Sequence, residues 1–128
     1  MNTNIGLLVV ASLLAAVAPL AAHHAFAAVF DIEKKVSLKG VVTKVEWQNP
    51  HIWFYFDVKD GNAVTHWQCE GGGPNSLVRQ GWTKDSLKQG DAISVEGYRA
   101  KDGSNTCNTA SVNTADGKRL FNGQNTDR

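Results

Sequence analysis

The chain has no surplus of charge, no closely spaced cysteines and no catalytic or phosphate-binding motif, and each absence removes a class of function. Thirteen Lys and Arg stand against twelve Asp and Glu, a formal net charge of +1. The clustered positive charge that nucleic-acid backbones require is therefore missing. Lys34, Lys35, Lys39 and Lys44 are spread among acidic or apolar neighbours and read as solvated strand faces. The only cysteines are Cys69 and Cys107, so no CxxC pair supports a thiolate metal site. In an oxidising compartment an even count favours a disulfide, worth about 4 kcal/mol in the chain-entropy description. Two buried free thiols are the alternative. There is no serine elbow, and Glu46 and Asp57 are separate carboxylates with no indicated pairing. Gly71-Gly-Gly-Pro74 lacks the Lys and Ser/Thr of a phosphate loop and reads as a turn. Enzyme chemistry is not indicated.

What is present begins with an apolar run. Ile5 through Ala22 carries no charge and is broken only by Gly6, Ser12 and Pro19. Its length, Leu/Val/Ala make-up and late proline fit a secretory signal over residues 1–22. Residues 1–4 hold no Lys or Arg, and the run approaches membrane-helix length, so a single N-terminal anchor is the competing reading. No Cys nearby suggests lipidation. Cleavage after Ala22 makes His23 the first residue, and cleavage after Ala21 leaves Ala22-His23-His24. Cleavage after Ala27, behind a small-x-small pattern, discards both histidines. The expected location is the periplasm or the medium, with no membrane span after cleavage.

After an N-terminal segment over 23–35, the pattern is that of one all-β domain over 36–121, with a frayed tail over 122–128. Val36 to Gln48 is a long β-prone run. Val36 and Leu38 share one phase, whereas Val41, Val45 and Trp47 share the other, which suggests a bulge at Gly40. Asn49-Pro50 turns the chain. From His51 to Val58, Ile52, Phe54, Phe56 and Val58 form a core face, opposite His51, Trp53, Tyr55 and Asp57. Asp60-Gly61 centres a hairpin turn, and Ala63 to Glu70 returns with Thr65, Trp67 and Cys69 on one face. Ser76 to Gln80 and Thr83 to Gln89 read as short helical pieces. A fourth strand follows over Ala92 to Arg99, with Ile93 and Val95 inward. A fifth runs over Cys107 to Asn113, with Ala110 and Val112 inward, and a weak hairpin around Asp116-Gly117 carries Leu120 and Phe121. Three antiparallel strands, a short helical connection and two more strands is the order of a five-stranded OB-fold barrel.

Three stretches carry a family resemblance: His23-His-Ala-Phe-Ala-Ala-Val-Phe30, Leu38-Lys-Gly-Val-Val-Thr-Lys-Val-Glu-Trp-Gln-Asn-Pro-His51, and Pro74-Asn-Ser-Leu77 with Gly81-Trp-Thr-Lys-Asp-Ser-Leu-Lys-Gln-Gly-Asp91. With these the chain resembles DUF6152, a family of small exported bacterial proteins of unknown function, from His23 to about Phe121. The resemblance implies export and retention of His23-His24, and it brings no activity. Cysteines at 69 and 107 depart from the family's pattern, so a disulfide here would be a local addition to the scaffold.

The side chains that could carry chemistry are four histidines, His23, His24, His51 and His66. Imidazole suits copper ahead of zinc or nickel. A terminal His23 offers an amine and a ring nitrogen, which His51 or His66 could complete as a three-nitrogen Cu(II) site. Cleavage after Ala21 would put His24 third, where amine, two amides and imidazole form a square-planar site. The plainer readings are a flexible terminal pair, His51 ordering its turn against the strand-one backbone, and a solvated His66. Trp53 and Tyr55, beside His51, could form a partner surface, or could pack under residues 26–30. The leading expectation is an exported Cu(II)-binding protein, monomeric or weakly oligomeric. The alternatives are a metal-free adaptor for another envelope protein and a domain binding a small polar ligand or oligosaccharide.

Overall fold

The computed structural model describes residues 25–122, with side chains through residue 119. The signal expected over 1–22, His23-His24 and the last residues lie outside this range. A helical turn, α1 (residues 25–29), leads into β1 (Phe30–Glu46), β2 (Trp53–Asp60) and β3 (Ala63–Glu70). A six-residue helix, α2 (Pro74–Arg79), precedes β4 (Ala92–Ala100), β5 (Thr106–Thr114) and the short β6 (Arg119–Asn122). The fold is all-β, with little helix.

The strands lie in the order β3-β2-β1-β4-β5-β6, and β3 also pairs in parallel with β5, so five strands return on themselves. Strand β1 makes this closure geometrically feasible. Its first part pairs with β4, from Phe30 opposite Ala100 to Val41 opposite Ala92. Its last part pairs with β2, from Val41 opposite Asp57 to Glu46 opposite Trp53. A 17-residue strand serving two neighbours must bend, and irregularities in its pairing let it do so.

The bend departs from the sequence reading. The register shifts between Val42 and Lys44, not at Gly40. The inward phase of Val36 and Leu38 therefore continues through Gly40 to Val42, which is fully buried, while Val41 points out. Gly40 has a different job. A Cβ there would lie 2.4 Å from the Asp57 carbonyl oxygen and 2.9 Å from the Phe56 ring. Only glycine lets the two backbones approach this closely. The sheet also starts at Phe30, upstream of the expected Val36, because β4 extends far enough to pair with it.

The core collects the inward faces of the strands: Val42, Ile52, Phe54, Phe56, Trp67, Cys69, Ile93, Val95, Cys107 and Val112. Leu77 from α2, together with Trp82 and Leu87 from the following loop, covers it. That loop is not the second helical piece expected over 83–89. The Thr83 N–H donates to Ser86 Oγ at 2.8 Å, and the Ser86 N–H donates to the Thr83 carbonyl at 3.0 Å. These hydroxyl-assisted bonds compete with helix and close a turn instead. In β5 the buried residues include Thr109 and Ser111 as well as Val112, while Ala110 is only half-buried. The register shift opposite, between Glu96 and Gly97, changes the phase expected there.

Cys69 and Cys107 are directly opposed in the β3–β5 ladder and form a disulfide, both fully buried. The bond joins the strands where the sheet closes.

Candidate functional site

The β2–β3 hairpin places two histidines, each against a carboxylate. The two-residue turn is Gly61-Asn62, with Asp60 paired to Ala63, one residue beyond the expected Asp60-Gly61 centre, so Asp57 lies opposite His66 and Trp53 opposite Glu70. His66 Nδ1 is 2.5 Å from Asp57 Oδ1 on the outer face. At the other end of the hairpin, His51 Nδ1 contacts Glu70 Oε1. An ionised carboxylate only accepts, so each Nδ1–H donates to its partner, and in the neutral ring Nε2 is the nitrogen left for a ligand. Metal-binding histidines are commonly fixed in this way.

The two pairs sit in different surroundings. His51 follows a cis Asn49-Pro50 bond. It is held by reciprocal backbone bonds, from the Ile52 N–H to the Gly72 oxygen at 3.0 Å and from the Gly71 N–H to the Ile52 oxygen at 2.9 Å. A Cβ at Gly71 would meet Ile52 Cγ1 at 2.7 Å, which accounts for a glycine in this position. The His51 side chain is 40% exposed and that of Glu70 only 16%. His51 therefore orders its turn through Glu70, not through the β1 backbone. By contrast, the His66 side chain is 82% exposed.

His51 and His66 do not share a site. Their carboxylate contacts lie four residues apart along the hairpin, about 13 Å at the usual strand rise. No group of three or more His, Cys, Asp or Glu side chains able to hold an ion exists among the described residues. Any further ligand to His51 would have to come from elsewhere, and His23 and His24 lie outside the described residues. The segment that follows them is anchored. Phe26 meets the Tyr98 ring edge-on, with centroids 6.1 Å apart, and the Lys101 N–H donates to the Val29 carbonyl at 2.8 Å. Tyr98 is opposite Asn108, and Asn108 is opposite Glu70. This row runs from Tyr98, against which Phe26 packs, to Glu70, two strand spacings or about 10 Å between backbones.

Trp53 and Tyr55 are half-buried. The Tyr55 hydroxyl donates to Glu46 Oε2 at 3.0 Å, and Lys44 Nζ lies 2.6 Å from Glu46 Oε1 and 5.3 Å from the Tyr55 ring centre. The Lys44 and Tyr55 hydrogen bonds hold the Glu46 carboxyl below its ordinary value. The same carboxylate, chiefly through its hydrogen bond, raises Lys44. Tyr55 is raised first by burial and then by Glu46. Glu46 and Asp57, unpaired in the sequence reading, are thus both engaged. The Phe26 ring packs on Tyr98 of β4 instead of covering Trp53 and Tyr55.

The outer face of β2–β3 and the turn between β4 and β5 enclose a groove of about 440 Å³, lined by residues that include Tyr55, Asp57, His66, Gln68, Asn105 and Thr106. Arg99, outside the lining, holds the turn that forms its far wall. The guanidinium donates to the carbonyls of Gly103 and Ser104 and to Asn105 Oδ1, and it lies 5.2 Å from the centre of the Trp67 ring. A larger depression, about 520 Å³, lies between the loop over 83–91 and the β5–β6 turn. Its Asp91 and Asp116 carboxylates accept backbone N–H groups of their own turns and so serve local structure. Counted from the expected Asp60-Gly61 centre the hairpin would pair Asp57 with Val64; the turn at Gly61-Asn62 pairs it with His66 instead. Glu70 beside His51 and the role of Arg99 had no local signal.

The chain belongs to the family described as a family of unknown function, DUF6152, which matches residues 10–109. No curated protein matches it in sequence. Among solved structures it is similar to the mitochondrial single-stranded DNA binding protein Rim1 of S. cerevisiae, at 11% identity and a TM-score of 0.51 in two crystal forms. The matches cover 70% of this chain and 96% of Rim1 in one form, and 71% and 97% in the other. It is also similar to the ZRD-deleted mutant of TiaS in complex with agmatine, at 22% identity and a TM-score of 0.46. That match covers 73% of this chain and 23% of TiaS. The likeness to Rim1 is one of fold, of the OB type. No helix among the described residues is long and apolar enough to cross a membrane.

Proposed function

We propose that this DUF6152 protein is an exported OB-type barrel that binds Cu(II) through His51 and the histidines just ahead of α1. The observation that carries this reading is the Glu70 carboxylate on His51 Nδ1, which leaves Nε2 as an oriented outward ligand. Docking of Phe26 on Tyr98 supports it, because the chain enters α1 beside the row that leads to Glu70. His23 or His24, with the new terminal amine, would complete a nitrogen set suited to a tetragonal ion. His66 stands apart from this set. The adaptor reading draws less support, since the Tyr55 ring and hydroxyl are already occupied by Lys44 and Glu46.

The test is native mass spectrometry and copper titration on protein exported by its own signal. One copper on a chain beginning at Ala22 or His23 is expected, with binding weakened strongly by His51→Ala and unchanged by His66→Ala. Copper binding that survives His51→Ala would remove the shared site, and a chain beginning at Ala28 would remove the terminal ligands.

A further inference from the structure

The groove between the β2–β3 face and the β4–β5 turn is independent of the copper reading, and its lining is unlike that of a metal or nucleic-acid site. Four planar side chains there are each held by one atom and present another. Asp57 holds the His66 ring through Oδ1, leaving Oδ2 and the ring's Nε2. Gln68 donates through Nε2 to Thr106 Oγ1 at 3.2 Å, leaving its carbonyl oxygen. Asn105 accepts from Arg99 at Oδ1, 2.9 Å away, leaving its NH2 group. Thr43, Ser104 and Thr106 add hydroxyls, and the buried Phe56 and Trp67 complete the lining.

These spare atoms are three acceptors and one donor, on side chains already fixed by their other ends. A ligand whose groups donate and accept at once matches them best, and hydroxyl groups do so. The volume lies within the ordinary range for small-ligand sites, roughly 300–1,000 Å³. Charge points the same way. No Lys or Arg lines the groove, and Asp57 brings a carboxylate into it. Of the neighbouring cations, Arg99 is bound to its own turn and Lys44 to Glu46. Binding of a single-stranded nucleic acid relies on a positively charged groove, which is absent here. In OB folds generally, the face of strands 2 and 3 with the adjoining loops is where oligonucleotides and oligosaccharides are taken.

We infer that this groove binds a short neutral oligosaccharide, with Asp57, His66, Gln68 and Asn105 reading its hydroxyls. The test is a backbone amide NMR titration of the exported protein with maltotriose, cellotriose and chitotriose, and separately with a ten-nucleotide oligo-dT. At least one neutral trisaccharide should give saturable shifts confined to residues 55–57, 66–68 and 104–106. Gln68→Ala and Asn105→Ala should each weaken it about fivefold to tenfold, as expected for one hydrogen bond. Ser104→Trp, which fills the groove from an exposed turn, should abolish it while copper binding is retained. Absence of saturable shifts with all three sugars would overturn the inference. So would oligo-dT binding at these residues with an affinity that collapses with salt, which would mark a nucleic-acid site.

Discussion

The two ends of the β2–β3 hairpin carry the same pair of groups, an imidazole on a carboxylate, in opposite settings. At the open end Glu70 is mostly buried beside the Cys69–Cys107 bond, and β3 is flanked on both sides by β2 and β5. At the turn end Asp57 is one-third exposed and His66 four-fifths exposed, and the first half of β3 is paired only with β2. A fixed ring with one outward nitrogen suits a metal, which demands geometry. An exposed pair in a polar groove suits a ligand that is wrapped by many weak hydrogen bonds. The chemistry of the pair is constant, and its surroundings assign the role.

The strongest way to break this contrast is to remove the covalent tie at the open end. Cys69→Ser with Cys107→Ser frees a loop of 38 residues' separation and should cost about 4 kcal/mol. For a domain of this size the melting temperature should fall by roughly 20 °C. Calorimetry showing a loss under about 1 kcal/mol would mean that β3–β5 closure holds without it. A second comparison sets the glycines at the two ends against each other. Gly40→Ala drives a Cβ into the Asp57 carbonyl and should cost about 3 kcal/mol, whereas Gly71→Ala meets the buried Ile52 side chain but no backbone atom closer than 3.8 Å and should cost about 2 kcal/mol. Urea denaturation that reverses this order would place the tighter backbone approach at the open end.

The roles themselves are separated by the carboxylates. Glu70→Gln should weaken copper binding about 10- to 100-fold, and Asp57→Asn should leave it unchanged. Equal losses would erase the distinction between the ends. The smallest effect concerns Glu46, whose depressed carboxyl contributes stability above its ordinary value of 4.5 that is lost as pH falls through the folded value. Because Glu46, Lys44 and Tyr55 lie at the surface, Glu46→Gln should lower the melting temperature by no more than a few degrees near neutrality. That difference should shrink as pH falls below 4.5 and vanish once the Glu46 carboxyl is protonated in the folded protein. A difference that grows on acidification would have the wrong sign for this cause.

Much of the hairpin was legible in the chain. The alternation of Ile52, Phe54 and Phe56 marked the buried face, and Asp60-Gly61 located the turn to within one residue, although only a turn at Gly61-Asn62 carries Asp57 to His66. Less legible were features that depend on a distant partner. Gly40 looked like the bulge because it separates two apolar phases, yet the shift falls at Val42–Lys44, where β1 exchanges β4 for β2. Thr83 and Ser86 looked like a helix start, but their hydroxyls close a turn under Trp82 and Leu87. The contact of His51 with Glu70 was hidden because its two residues lie on opposite flanks of the hairpin, where the chain leaves strand geometry.

The sequence by itself determined the order of the strands along the chain, the inward face of β2 and the family, because side-chain alternation and turn chemistry act over a few residues. Tertiary structure alone decided that Cys69 meets Cys107, that Glu70 holds His51, and that Arg99 shapes a groove opposite His66. The first and third of these depend on closure of β3 onto β5, a long-range contact whose partner and register no local pattern encodes, and the second on where the chain enters β2 and leaves β3.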